Sequence, residues 1–197
     1  MKLLSKITLA SILSITMLFG VGMAAWVFNT GATSDSQNIN VQLTASSTSA
    51  GTVTFYTDSA CTAALGNVYL IMDQNHEPFL STTQYDSAQD TGGTTYVDGL
   101  YNARLQTVYV KYAGADANLT IASATFTPTE TLTNNGTYFT KTDGSIAAAS
   151  LNGSTASAAY TLPTFTWSTG KPTNTTQYAA LQSAGITLAI TVAAEVA

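Results

Sequence analysis

The chain has 197 residues, of which 45% are hydrophobic and only 9% charged, with a net charge of −5. Disorder needs low hydrophobicity with high net charge, so this chain folds, and its length suits a short leader plus one domain of roughly 165 residues with its own core. No Lys or Arg lies between Lys6 and Arg104, which excludes nucleic acid as a partner, because phosphate neutralisation needs clustered cations.

Lys2 and Lys6 precede an uncharged stretch, ITLASILSITMLFGVGMAAWVF, over residues 7–28. A positive start, an apolar run and the small residues Ala24 and Ala25 describe a secretory signal helix. The run exceeds the usual ~7–15 residues of such a region and is also long enough to span a bilayer. Two readings therefore stand. In one, residues 1–25 are a leader cut somewhere within 24–28; in the other, the helix is retained and Trp26 and Phe28 mark its headgroup end. Either way the chain beyond residue 28 is exported, and its early partners are signal peptidase and the secretion machinery. Without the leader, four basic residues face eleven acidic ones, a net charge of about −7. That balance disfavours docking on anionic lipid, so membrane contact runs only through the leader before cleavage.

The rest of the chain reads as strands. Ile39, Val41 and Leu43 alternate with polar residues, a period-two pattern. TVTFYT (52–57) alternates again, and GNVYLIMD (66–73) is a continuous apolar run of the kind buried on both faces. A polar loop is expected from residue 74 to 93. TTYVDGLYN, RLQTVYVKY, NLTIASATFTP and GTYFTK follow as further β segments. YTLPTFTW carries Pro163, which predicts an edge or a bulge. TTQYAALQSAG predicts a short helix or turn, and GITLAITVAAEVA closes the chain with Ile186, Leu188, Ile190 and Val192 on one face. Eight to ten short strands without a repeat or an internal boundary predict one all-β domain over residues 37–197, a β-sandwich or jelly roll.

Signatures of catalysis are scarce. His76 is the single histidine, so a two-histidine zinc site cannot form. His76 with Asp73 and Glu77 is a weak metal candidate set against a solvated loop, and Asp86, Asp90 and Asp98 share one region without EF-hand spacing. No nucleophile sits in a G-x-S-x-G elbow. The expectation is no enzyme, no cofactor and no metal. Cys61 is the only cysteine, leaving a partly buried inert thiol or an intermolecular disulfide. Asn118, Asn135, Asn152 and Asn174 each begin an N-x-[ST] triplet and are candidate glycosylation sites.

The stretch GVGMAAWVFNTGATSDSQNINVQL (20–43) and the terminal GITLAITVAAEVA resemble the TasA/camelysin family of exported fibre proteins. In that family a long leader is cut by a dedicated signal peptidase, and the mature chain begins near an AFND-like segment. Two departures stand out. Asp35 is alone where the family carries several acidic residues after FN, and the small residues precede Trp26-Val27. The family's metalloprotease classification has no histidine pair here to rest on. The resemblance implies a jelly-roll subunit of an extracellular filament, a biofilm-matrix fibre or bundling pilus. It further implies donor-strand complementation, in which the N-terminal segment of one subunit pairs into the sheet of the next.

The residues are consistent with that implication on their own terms. Trp26 and Phe28 are two apart, so an extended chain points both the same way. They precede a Gly- and Ser-containing hinge over residues 31–36. An unpaired sheet edge invites an incoming strand, and head-to-tail pairing that does not close produces a filament. The expected partner is therefore another copy of the chain, with Trp26, Val27, Phe28 and Asn29 as the polymerising segment within residues 26–36. Two other classes remain open: a type IV pilin-like subunit that retains its helix, and a membrane-anchored adhesin or binding module.

Overall fold

The computed structural model describes residues 37–47, 50–73, 75–90, 95–133, 138–168, 181 and 184–197. The leader and Trp26–Asn29 lie outside them. The strands are β1 (Gln37–Ser47), β2 (Gly51–Tyr56), β3 (Val68–Met72), β4 (Phe79–Ser81), β5 (Thr107–Gly114) and β6 (Ile121–Thr133). They continue as β7 (Phe139–Thr142), β8 (Ser145–Ile146), β9 (Ser150–Asn152), β10 (Thr155–Thr161), β11 (Thr164–Trp167) and β12 (Gly185–Val196). One helix, α1 (Thr95–Asn102), interrupts them. The fold is all-β, and among the described residues no helix is long and apolar enough to cross a membrane.

Two five-stranded sheets form the body. The first has the order β4-β3-β1-β12-β6; the second runs β2-β5-β10-β8, with β9 also paired to β10. β7 and β11 make a separate two-stranded sheet. Every described pairing is antiparallel except that of β1 with β12. There the register places Val41 beside Ile186 and Leu43 beside Leu188, so the apolar positions of both strands share a face. Period-two alternation thus becomes a buried row: Ile186, Leu188, Ile190 and Val192 are all essentially inaccessible. Within the second sheet, larger residues of β5 lie beside small ones of β10, with Val110 paired to Ala158 and Tyr112 to Ala156. One hydrophobic cluster draws on all three sheets.

β3 is buried along its whole length, as its unbroken apolar run predicts. The cause is a second cover. Leu70 and Met72 face the main core, whereas Ile71 meets Phe79 of β4 and Val97 and Leu100 of α1 in a smaller cluster. Thr95–Asn102 within TTYVDGLYN is accordingly a helix and not the expected β segment. Val97, Leu100 and Tyr101 recur at three- and four-residue spacing on the buried side, and this packing overrides the strand preference of Val and Tyr. The expected polar loop over 74–93 likewise contains β4, whose three residues are fully buried.

Pro163 acts as a break. β10 ends at Thr161 and β11 starts at Thr164 in a different sheet. Pro128 instead sits inside β6, the thirteen-residue edge strand of the first sheet. An edge tolerates a residue with no N–H to donate, and a proline there discourages stray pairing.

Leu188 is central in β12 and wholly buried. Leu188→Ala should lower unfolding stability by about 2–5 kcal/mol, read as a fall in the urea midpoint at unchanged slope; a loss within error would mean that β12 is not the centre of the core.

Candidate functional site

The sequence candidates fall in three places. Trp26, Val27, Phe28, Asn29, Asn135 and Asn174 lie outside the described residues. Asn118 and Asn152 are exposed, near the place where Ile121 N–H donates to the Gly153 carbonyl and Gly114 N–H to that of Ser154. Asn118 Nδ2 donates to Asp116 at 3.0 Å, and Asn152 stands at the hairpin turn whose Gly153 has φ +58°. Cys61 is half-buried at φ 54°, and burial pushes its thiol up despite Lys111, with Asp58 adding in the same direction. Less thiolate means lower reactivity, which favours the inert thiol.

The surroundings of His76 differ from a solvated loop. Its Nδ1 lies 2.7 Å from Asp73 Oδ2, and its Nε2 lies 3.2 Å from Asp98 Oδ1 on α1. Asp73 is only 3% exposed and also accepts from the Asn75 N–H at 2.5 Å. The imidazole stacks on Tyr101 at 4.3 Å and meets Phe79 edge-on at 6.2 Å. α1 and the turn after β3 are thereby clasped together. Asp86 and Asp90 serve elsewhere, on Ala88 and Gln89 and on the Tyr85 hydroxyl respectively. Among the described residues no three such ligands gather around a common point.

Tyr101 of the clasp also lines a groove of about 250 Å³. Three stretches line it: Glu77 to Leu80, Tyr101 with Arg104, Leu105 and Gln106, and Leu162 to Phe165. Its two charges are engaged by the chain itself. Glu77 Oε2 accepts from the Trp167 N–H at 2.6 Å. The Arg104 guanidinium lies 4.4 Å from the Tyr101 ring centre and donates to the Tyr101 carbonyl at 3.0 Å. With its amide oxygen turned inward, Gln106 accepts from Arg104 Nη2 at 3.1 Å. The groove therefore suits an uncharged, apolar occupant.

A second polar cluster ties the sheets together at another place. Glu130 on edge strand β6 is 5% exposed, and its carboxylate accepts from the Tyr160 hydroxyl at 2.5 Å, the Gly144 N–H at 2.9 Å and Lys141 Nζ at 2.7 Å. Lys141 also pairs with Asp143. A Cβ on Gly144 would stand 2.3 Å from the Thr161 carbonyl oxygen, so only glycine admits this approach. Desolvation pulls the Lys141 ammonium down, but its hydrogen bonds to Asp143 and Glu130 outweigh it and hold it above its ordinary value. The hydrogen bond from Lys141 holds the exposed Asp143 carboxyl below its own. Tyr160 is pushed up, first by burial and then by its bond to Glu130.

Sequence reasoning did not find this cluster or the groove. The available signal was charge scarcity: in a chain 9% charged, Glu130, Lys141 and Asp143 fall within fourteen residues of one another amid Thr-rich strands. Scans against protein-family models, curated proteins and solved structures returned no match for this chain.

The signs of the shifts give a pH profile. The lowered Asp143 contributes stability that is present above about pH 3.8 and lost as pH falls through its folded value. The raised Tyr160 and Lys141 contribute stability that is present below about pH 10.0 and lost as pH rises beyond it. Urea unfolding across pH should therefore show falling limbs at both extremes. Lys141→Met should flatten the Asp143 part of the acid limb and cost roughly 3 kcal/mol at neutral pH by stranding Glu130. An unchanged acid limb in that variant would remove the Lys141–Asp143 pair from the account. His76→Ala should lower the thermal midpoint by several degrees and speed amide exchange in α1 before any other element, because Asp73 loses a partner and Tyr101 its stacking surface; uniform exchange would show that the clasp does not hold α1.

Proposed function

We propose that this chain is an exported structural subunit that polymerises head-to-tail into an extracellular filament, with Trp26–Asn29 of one copy pairing into a sheet of the next. In this reading the leader is removed, the two sheets are a jelly roll, and the protein has no catalytic task. The observation that carries it is the position of β1. β1 is an interior strand of its sheet, held by β3 on one side and β12 on the other. The uncharged segment with Trp26 and Phe28 joins it through the short hinge over residues 31–36.

That placement suits a load-bearing link. Tension arriving through residues 26–36 pulls along β1 from Gln37. β1 resists through five antiparallel partners in β3 and seven parallel partners in β12. Pulling along a strand shears all these hydrogen bonds together instead of opening them one at a time. An N-terminal strand on a sheet edge would peel with far less resistance. The low charge and the Thr- and Ser-rich surface add support, since neighbouring subunits meet with little repulsion between specific charges.

Electron microscopy of the protein recovered from the culture medium should show filaments. Replacing both Trp26 and Phe28 with Ser should abolish them, leaving a monomer with unchanged far-UV circular dichroism. Monomers from the parent chain, or filaments undiminished in the double variant, would contradict this function.

A further inference from the structure

The outer edge of β11 is a short, bounded strand slot. Ser168 N–H donates to the Tyr138 carbonyl, and Thr166 and Thr164 face Thr140 and Thr142 in the same register. Hydrogen-bonded positions alternate along an antiparallel pair, so Phe165 and Trp167 turn their backbone groups away from β7. Trp167 confirms the direction, because its N–H reaches Glu77 Oε2 on the groove's rim. Its indole Nε1 also donates to the His76 carbonyl at 2.9 Å. At the other end Leu162 N–H donates to the Gln106 carbonyl at 2.9 Å. Between these two closures the edge is open. The alternation turns the Phe165 N–H and carbonyl away from β7, and among the described residues no backbone bond outside the strand ladders takes either of them.

The facing wall offers no rival for that edge. Leu80 already accepts from the Leu105 N–H at 2.7 Å, which caps β4. What remains is a notch about three residues long, in which Phe165 is the position that turns both an N–H and a carbonyl outward, among the described residues between Leu162 and Trp167. Pro78, Phe79, Leu105 and Leu162 supply an apolar lining, and the volume of about 250 Å³ takes one large aromatic side chain together with a short length of backbone. Strand addition of this kind draws affinity from the main chain and selectivity from the pocket.

We infer that this notch is the acceptor for Trp26-Val27-Phe28 of a second copy, added antiparallel to β11 with Phe28 opposite Phe165, so that the two aromatic side chains share the face of Phe165 and Asn29 falls opposite Thr164 on the exposed face. The inference rests on the filament reading above and deepens it by naming the receiving site. The choice of occupant follows from the chain outside the described residues. After the leader, the stretch up to Gln37 contains a single charge, Asp35, and residues 26–34 have none. A groove whose two charged residues are both internally engaged accepts such a segment without stranding a charge. The eight residues between Phe28 and Gln37 extend to roughly 26 Å, enough to leave one subunit and enter the next. A copy that filled its own notch would end the chain of subunits; exchange between copies propagates it.

The test uses full-length protein with Cys61→Asn, since Asn tolerates the left-handed backbone at that position. Asn29→Cys is placed in one preparation and Thr164→Cys, on the exposed rim, in another. Mixed, polymerised and oxidised, the two should give a disulfide-linked dimer that neither gives alone, and a chain with both substitutions should give a ladder of multimers. Filaments that form without any such dimer would overturn the acceptor site while leaving the filament reading intact. A double variant linked only within single chains would show that the notch holds its own segment. A parent protein that never sediments as a polymer would defeat the filament reading itself, before any cysteine is introduced.

Discussion

The pairing of β1 with β12 is the contact on which the rest of the molecule depends. It joins residues about 145 positions apart, from Val41–Ile186 to Ser47–Val192, in the one parallel ladder among the described strands. Long-range closure of this kind is entropically slow to form. Once formed, it places two apolar rows side by side at the sheet's centre and gives β3, β6 and the second sheet a surface to pack on. α1 depends on it at one remove, because α1 rests on Ile71 of β3. The clasp at His76, and with it the contribution of Tyr101 to the groove, depends on α1. The site is thus the last layer of a hierarchy that starts from the first and last strands.

Charge is used sparingly and in concentrated form. Asp73 and Glu130 are each nearly inaccessible, and each is met by several donors. Such groups are costly when unpaired and contribute little net stability when replaced by packing. Their value here is positional. The Asp73 cluster sets the angle of α1 against the first sheet, and the Glu130 cluster joins β6, β10 and the β7–β8 turn. Between these two fixed regions lies β11, attached at Trp167 and Leu162 and open at Phe165. An open backbone position on a strand edge is a natural place for a partner.

Much of this was legible in the residues. The alternations in 39–43 and 186–192 predicted two strands with one buried face, and the unbroken run of β3 predicted cover on both sides. α1 was not legible, because Thr, Tyr and Val in TTYVDGLYN favour strand locally and only tertiary contact with Ile71 and Phe79 makes the helix. β4 was hidden for a related reason: three buried residues inside a polar stretch are too few to show a period. His76 read as solvated because its partners Asp98 and Tyr101 arrive from more than twenty residues away. The notch was out of reach altogether. It arises from register between β7 and β11 and from two closures at Gln106 and Glu77, none of which leaves a local motif. The resemblance carried by residues 20–43 implies a donor, and the register of β7 and β11 gives the geometry from which an acceptor is proposed.

The central claim is that the backbone of Phe165 is open in the single subunit and paired in the assembly. Hydrogen–deuterium exchange on the peptide spanning Thr164–Trp167 tests it most directly, comparing assembled protein with dissociated subunits. The account predicts that the Phe165 amide exchanges quickly in the subunit and becomes strongly protected in the filament, while the Trp167 amide, already bonded to Glu77, changes little. Equal exchange at Phe165 in both states would contradict it.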